Sequence, residues 1–199
     1  MSYKIVSCYT DDVIYRPQAE NLRASSRELN IDDIHVESFP DQGSWEKNCQ
    51  YKPIFLNEKL IELKMPVVWI DVDALVLKEP ILFNDYEYDV GFFHSISHPE
   101  EIKRKLILSG TMYFKPLPIV HRVLDDWIKL NETNAAWDQI NLRRIIYGHS
   151  MTYPYPTYDQ LSIGSLPHEY CSHREKRAKN PVIEHIQISS EHEDHKVDL

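Results

Sequence analysis

The chain has 199 residues and is 42% hydrophobic, enough for one domain with a sizeable core. Its formal net charge of −9, from 22 basic and 31 acidic residues, argues against nucleic acid or an anionic membrane as the main partner. Three widely spaced cysteines (Cys8, Cys49, Cys171) make no metal-type pair and no disulfide framework. With no membrane-length apolar run and no signal-peptide core, they point to a reducing, cytoplasmic setting.

Lys4 to Tyr9 reads as a buried strand through Ile5, Val6 and Cys8, followed by a turn at Thr10-Asp11-Asp12. Pro17 suits a first helical turn, and Leu22 and Leu29 share one face of a helix running to about Asn30. Ile34 to Phe39 is a short strand closed by Pro40, and Asp41 to Gln50 reads as a polar loop carrying Trp45. Lys52-Pro53 opens a helix with Leu56, Leu60 and Leu63 on one stripe, ended by Pro66. The strand Val67 to Ile70 completes a β-α-β-α-β order, which predicts an α/β fold with a mainly parallel sheet.

Further strands are expected at Asp89 to His94 and at Leu106 to Phe114, the latter interrupted at Ser109-Gly110-Thr111. Pro118 begins an amphipathic helix through Val120, Val123, Leu124, Trp127 and Ile128. Asn134 is a candidate cap for another helix, with Asp138, Leu142 and Ile145 on one stripe. Strand fragments are expected at Ser165 to Cys171 and Val182 to Ile188. Residues 1–190 read as one domain, with a first half at 1–80 and a second at 81–190. The charged segment 191–199 reads as a disordered tail.

The strongest chemical signal is Asp71 and Asp73, one residue apart behind the apolar run Val67-Val68-Trp69-Ile70. If strand geometry persists they point the same way. Two converging carboxylates repel, and a divalent cation such as Mg²⁺ or Mn²⁺, shared with substrate phosphates, relieves that repulsion. The competing reading is a strand-end turn, where Asp is common. Gly110 inside an apolar strand marks either a bulge or the close approach of a ligand or backbone. Asp138 is a candidate catalytic carboxylate, or else a favourable charge at a helix N-terminus. His185, between Ile183 and Gln187, reads as a packed core histidine or a ligand; His192 and His195 read as tail. Lys52, Arg143 and Arg144 are available to meet phosphate, while Glu100 to Lys105 reads as a solvated charge run.

Taken in order, these pieces resemble nucleotide-sugar glycosyltransferases of the GT-A fold, in particular small single-domain members such as those of large algal viruses or bacteria. The resemblance runs from Lys4 to His185. Ser7-Cys8-Tyr9-Thr10-Asp11 is similar to the loop that receives the nucleotide base. Trp45, Asn48 and Lys52 to Leu56 resemble the segment before the metal strand. Trp69 to Ala74 resembles the family's D-x-D block, and Leu108 to Phe114 its glycine loop beside the donor sugar. Trp137-Asp138-Gln139 falls where the acidic catalytic motif lies, and His185 matches the histidine that completes the metal site.

The resemblance implies a metal-dependent transfer of a sugar, from a nucleoside-diphosphate sugar with UDP favoured, to a hydroxyl of a glycan or glycoprotein. Mn²⁺ or Mg²⁺ would be held by Asp71, Asp73 and His185. Donor contacts would come from Tyr9, Thr10, Asp11, Lys52, Asp71, Val72, Gly110 and Thr111. Asp138 would act as general base if the enzyme inverts, or would orient the donor sugar if it retains. Trp137, Tyr153 and Tyr155, with Tyr158, would face the acceptor. The location would be the cytoplasm, the host's if the chain is viral. The motif reads Trp-Asp where the family commonly has Glu-Asp, and His185 lacks one branch's glycine- and lysine-containing continuation, so both stereochemical outcomes stay open. The competing enzyme is a haloacid-dehalogenase-type phosphatase, though Ala74-Leu75 departs from its motif; the non-enzymatic competitor is a nucleotide-sugar-binding module.

Overall fold

A computed structural model describes residues 2–95, 106–134, 136–148, 158–174 and 176–186. Among these described residues the strands are β1 (Lys4–Thr10), β2 (Ile34–Phe39), β3 (Val67–Ile70), β4 (Ala74–Val76), β5 (Val90–Ser95), β6 (Leu106–Phe114), β7 (Ile163–Ser165), β8 (Ser172–His173) and β9 (Ile183–His185). The α-helices among the described residues are α1 (Tyr15–Glu28), α2 (Trp45–Gln50), α3 (Lys52–Leu63), α4 (Pro118–Thr133) and α5 (Asp138–Tyr147).

Six strands form the main sheet in the order β2-β1-β3-β6-β5-β7. β1 pairs parallel with β2 and β3, and β5 with β7, while β6 runs antiparallel to both its neighbours. Side-chain alternation divides the core between the two faces. Val6, Val67, Trp69 and Phe114 pack under α3, α4 and α5, with Phe55, Leu60, Val123, Trp127 and Leu142. Ile5, Val68, Ile70 and Tyr113 pack on the opposite face with Ala19 and Leu22 of α1 and with Phe83 and Tyr170. Continuous apolar runs therefore became central strands because both faces are covered. A second, small sheet has the order β4-β9-β8.

The structure departs from the sequence reading at several points. Residues 41–50 are not all loop: Ser44 accepts a hydrogen bond from Lys47 N at 3.3 Å and starts the six-residue helix α2, too short to show a periodic stripe. Asn134 does not cap α5; its Oδ1 accepts from Ala136 N at 2.9 Å in a turn, and the helix opens at Asp138 with Trp137 at the cap position. The strand expected over Ser165 to Cys171 stops at Ser165, because Pro167 leads into a 3₁₀ turn at His168–Tyr170. Strand β6 is continuous, but its register with β5 jumps from Met112 opposite Phe92 to Leu108 opposite Phe93, so Ser109, Gly110 and Thr111 form a bulge towards that neighbour. Among the described residues no helix is long and apolar enough to cross a membrane.

Candidate active site

Strand β3 ends at Ile70, so strand alternation is not what brings the two aspartates together. Asp71 N donates to Gly110 O at 2.8 Å, and Ala74 N donates to Asp71 O at 3.1 Å, closing a turn that carries Asp71 and Asp73 past the sheet edge. β4 then pairs antiparallel with β9, with Ala74 opposite His185, and Ile186 N donates to Asp73 O at 2.9 Å. That pairing brings a histidine from far along the chain beside the aspartates. Ligand atoms of Asp71, Asp73 and His185 all lie within 4.8 Å of one another.

Gly110 is what lets this happen. A Cβ there would stand 2.8 Å from His185 Cε1 and 3.1 Å from each ring nitrogen. The glycine lies in a bulge, and what approaches it closely is the His185 side chain rather than a ligand or a backbone. His185 Nε2 is hydrogen-bonded to the Thr111 hydroxyl at 2.9 Å. Burial, helped by His173 and Lys52, pushes the His185 pKa down to about 3, so the imidazole is neutral near pH 7 and has a lone pair for a metal. Two carboxylates and a neutral imidazole form a donor set that suits Mn²⁺ or Mg²⁺.

Lys52 is the hub of the other half of the site. It opens α3, is buried, and lies 2.9 Å from Asp71 Oδ1 and 2.9 Å from Asp138 Oδ2. Its ammonium also reaches Ser109 O at 3.4 Å and Oγ at 3.3 Å, and sits 5.2 Å above the Trp69 ring. Burial alone would lower the Lys52 pKa, but Asp138 and Asp71 together outweigh it and hold the pKa above its ordinary value. The Ser109 hydroxyl donates to Asp138 Oδ2 at 3.2 Å, Gln139 Oε1 accepts from Ser109 N at 3.0 Å, and Trp69 Nε1 donates to Asp71 Oδ1 at 2.7 Å. Asp138 is in the first turn of α5, and Trp127 Nε1 anchors its carbonyl at 2.9 Å.

These groups line one cavity of about 300 Å³ at the carboxyl ends of β1 and β3, where open α/β sheets bind ligands. Of the residues expected from sequence, Tyr9, Thr10, Lys52, Asp71, Val72, Asp73, Gly110, Trp137, Asp138 and His185 line it. Thr111 stands behind His185. Asp11 does not line the cavity: it is exposed, paired with Arg16 at 2.6 Å, and that hydrogen bond lowers its pKa. Arg143 and Arg144 are on α5 away from the cavity, with Arg144 donating to Asn141 Oδ1 at 3.1 Å. Tyr158 donates to Asp126 Oδ2 at 2.6 Å and also lies outside it, while Tyr153 and Tyr155 fall outside the described residues.

Sequence reading missed Tyr15, Phe39 and His173, all of which line the cavity. Tyr15 and Phe39 flank it from α1 and the end of β2. His173 arrives on the two-residue strand β8, which is too short to announce itself. Trp45 and Trp137 meet edge to face at the rim, with ring centroids 5.1 Å apart.

No curated protein matches the chain at the level of sequence. Among solved structures, the fold is similar to a glycosyltransferase involved in glycosylation of the major capsid of PBCV-1. That likeness has a TM-score of 0.65 at 13% identity, over 94% of this chain and 93% of the other. It is also similar to mouse xyloside xylosyltransferase 1 in its apo form, with a TM-score of 0.56 at 11% identity, over 95% of this chain and 99% of that one. At such identities the likeness speaks to the fold, which is that of GT-A-like transferases. Residues 16–199 match the family of nucleotide-diphospho-sugar transferases. The chain belongs to that family and is a glycosyltransferase.

Proposed function

We propose that the protein transfers a sugar from a nucleoside-diphosphate donor, UDP-linked by preference, to a hydroxyl of a carbohydrate acceptor, and that the transfer needs Mn²⁺ or Mg²⁺. The observation that carries the metal dependence is the convergence of Asp71, Asp73 and His185 in the cavity that also holds Asp138. Bound there, the cation would supply Lewis-acid stabilisation for the departing diphosphate. In this reading Tyr9, Thr10 and Tyr15, which line the cavity, would contact the base, and Trp137, which also lines it, would contact the acceptor.

Asp138 Oδ2 accepts from both Lys52 and Ser109, so that oxygen is held in place. That commitment favours a role in orienting the donor sugar and stabilising positive charge developing at its anomeric carbon, over removal of a proton from the acceptor. Family membership replaces the phosphatase alternative, whose nucleophile would be Asp71; here Asp71 is tied to Lys52 and to the Trp69 indole.

A thermal-shift panel of nucleotide sugars with and without Mn²⁺ tests the proposal. A ligand at 100 times its Kd adds about 2.7 kcal/mol to stability. The expected result is a shift with UDP-linked sugars that requires Mn²⁺ and disappears in Asp73→Asn. Equal shifts with and without metal, or a full shift in Asp73→Asn, would refute it.

A further inference from the structure

Trp69 is the penultimate residue of β3, and its side chain meets two of the charges of the site. The indole Nε1–H donates to Asp71 Oδ1 at 2.7 Å, and the Lys52 ammonium stands 5.2 Å above the ring. The ring is buried and packs edge to face on Phe55 of α3, with centroids 6.2 Å apart. Core packing therefore fixes the plane of the indole. Its one polar hydrogen points out of the core, at a carboxylate that lines the cavity and is 32% exposed.

Two donors among the described residues meet on the same oxygen of Asp71. Lys52 Nζ lies 2.9 Å from Oδ1, and Trp69 Nε1 lies 2.7 Å from it. A carboxylate oxygen has two lone-pair directions, so these donors fill Oδ1 and leave Oδ2 as the oxygen to offer a cation. The two donors are not equivalent. Lys52 is a point charge on a flexible stem, drawn equally to Asp138 Oδ2 at 2.9 Å, and it does not by itself set the plane of the Asp71 carboxylate. An indole N–H only donates, and here its direction is set by a packed ring. Without it, Oδ1 regains a lone pair and the carboxylate can turn between the ammonium and the cation. Groups that orient a metal ligand in this way are commonly worth about 10–100-fold in metal affinity.

We propose that Trp69 is a positioning residue for the metal centre: its indole N–H holds Asp71 Oδ1 together with Lys52 and so presents Oδ2 to the cation. The inference rests on the metal reading given above. The test measures Mn²⁺ affinity by electron paramagnetic resonance in wild type, in Trp69→Phe, and in protein carrying benzothienylalanine in place of Trp69. That isostere keeps the shape and packing of the indole and replaces only its N–H by sulfur, so it decides the matter even if Trp69→Phe folds poorly. The expected result is a roughly tenfold loss of Mn²⁺ affinity in the isostere. The Trp69 indole N–H resonance, identified by its absence from the isostere, should also shift in saturating Mg²⁺ in wild type but not in Asp73→Asn. A loss under about threefold in the isostere, whatever Trp69→Phe does, makes the ring a packing residue and overturns the proposal while leaving the metal reading standing. An indole resonance unmoved in saturating Mg²⁺ overturns it likewise. A wild-type protein that binds no Mn²⁺, or binds it as tightly in Asp73→Asn, overturns the metal reading itself, and this proposal with it.

Discussion

Replacing Lys52 by methionine removes a charge while keeping an aliphatic stem of similar length, which isolates the electrostatic role of the hub. The Lys52 side chain is 9% exposed, Asp138 7% and Asp71 32%. Removing one partner of a buried ion pair costs about 3–5 kcal/mol, because the other charge is left uncompensated. Two features soften that here. Asp71 is a third exposed and partly screened, and Asp138 keeps the Ser109 hydroxyl and the α5 N-terminus, the latter worth about 0.3–1 kcal/mol. The expected net loss is therefore about 2–4 kcal/mol. The measurement is urea unfolding of Lys52→Met, Asp138→Asn and the double variant. With Asp138 neutralised, the lysine has less to compensate, so the double variant should lose clearly less than the two single losses added together. A loss under about 1 kcal/mol in Lys52→Met, or strict additivity in the double variant, would refute the hub as an electrostatic unit.

Two other perturbations probe the opposite half of the site. Gly110→Ala places a methyl 2.8 Å from the buried His185 ring, so it should cost about 1–3 kcal/mol in urea unfolding and weaken Mn²⁺ binding; wild-type values for both would show that the close approach is unimportant. The folded-state pKa of His185 is pushed down from 6.5 to about 3, so between those values the unfolded chain binds the extra proton. Its contribution is complete above about pH 6.5 and is lost as pH falls towards 3. At pH 5 the deficit from this residue is about 2 kcal/mol, at 1.36 kcal/mol per pH unit. His185→Gln should therefore narrow its stability gap to wild type between pH 7.5 and 5 in urea unfolding, and a constant gap would count against a buried neutral imidazole.

Those features were unequally legible in the sequence. The central strands and α3 and α4 announced themselves, because a strand covered on both faces must be continuously apolar and a helix covered on one must repeat near 3.6 residues. Asp71 and Asp73 stood out by following such a run, although the reason first given for their convergence, strand alternation, was not the one the fold uses. Strands of two or three residues such as β4 and β8 have no period to read. Their existence depends on the partner they meet, and for that reason His173 went unseen and the tie between His185 and the aspartates rested on resemblance. The sequence marks Lys52 only as a cation available to phosphate. Its burial follows from where α3 packs, which no local pattern reveals.

The small sheet β4-β9-β8 is thus what converts a common dipeptide spacing into a site. Without the pairing of Ala74 with His185, Asp71 and Asp73 would be turn residues with one lysine between the first of them and Asp138. With it, the cavity has two differently balanced regions. On one side Asp71, Lys52 and Asp138 join Ser109 and Trp69 in a network in which Lys52 and Asp138 are buried and Asp71 is a third exposed; on the other, Asp73 and two neighbouring imidazoles line the space where the proposed cation and phosphates would sit. Asp71 belongs to both, one carboxylate shared between an ammonium and the metal position. A cation held at the triad, as proposed, would share the carboxylate that holds Lys52, and Lys52 in turn holds Asp138. Under the proposed function, this contiguous chain of ionic contacts would link the leaving-group end of the cavity with the end where the anomeric carbon reacts.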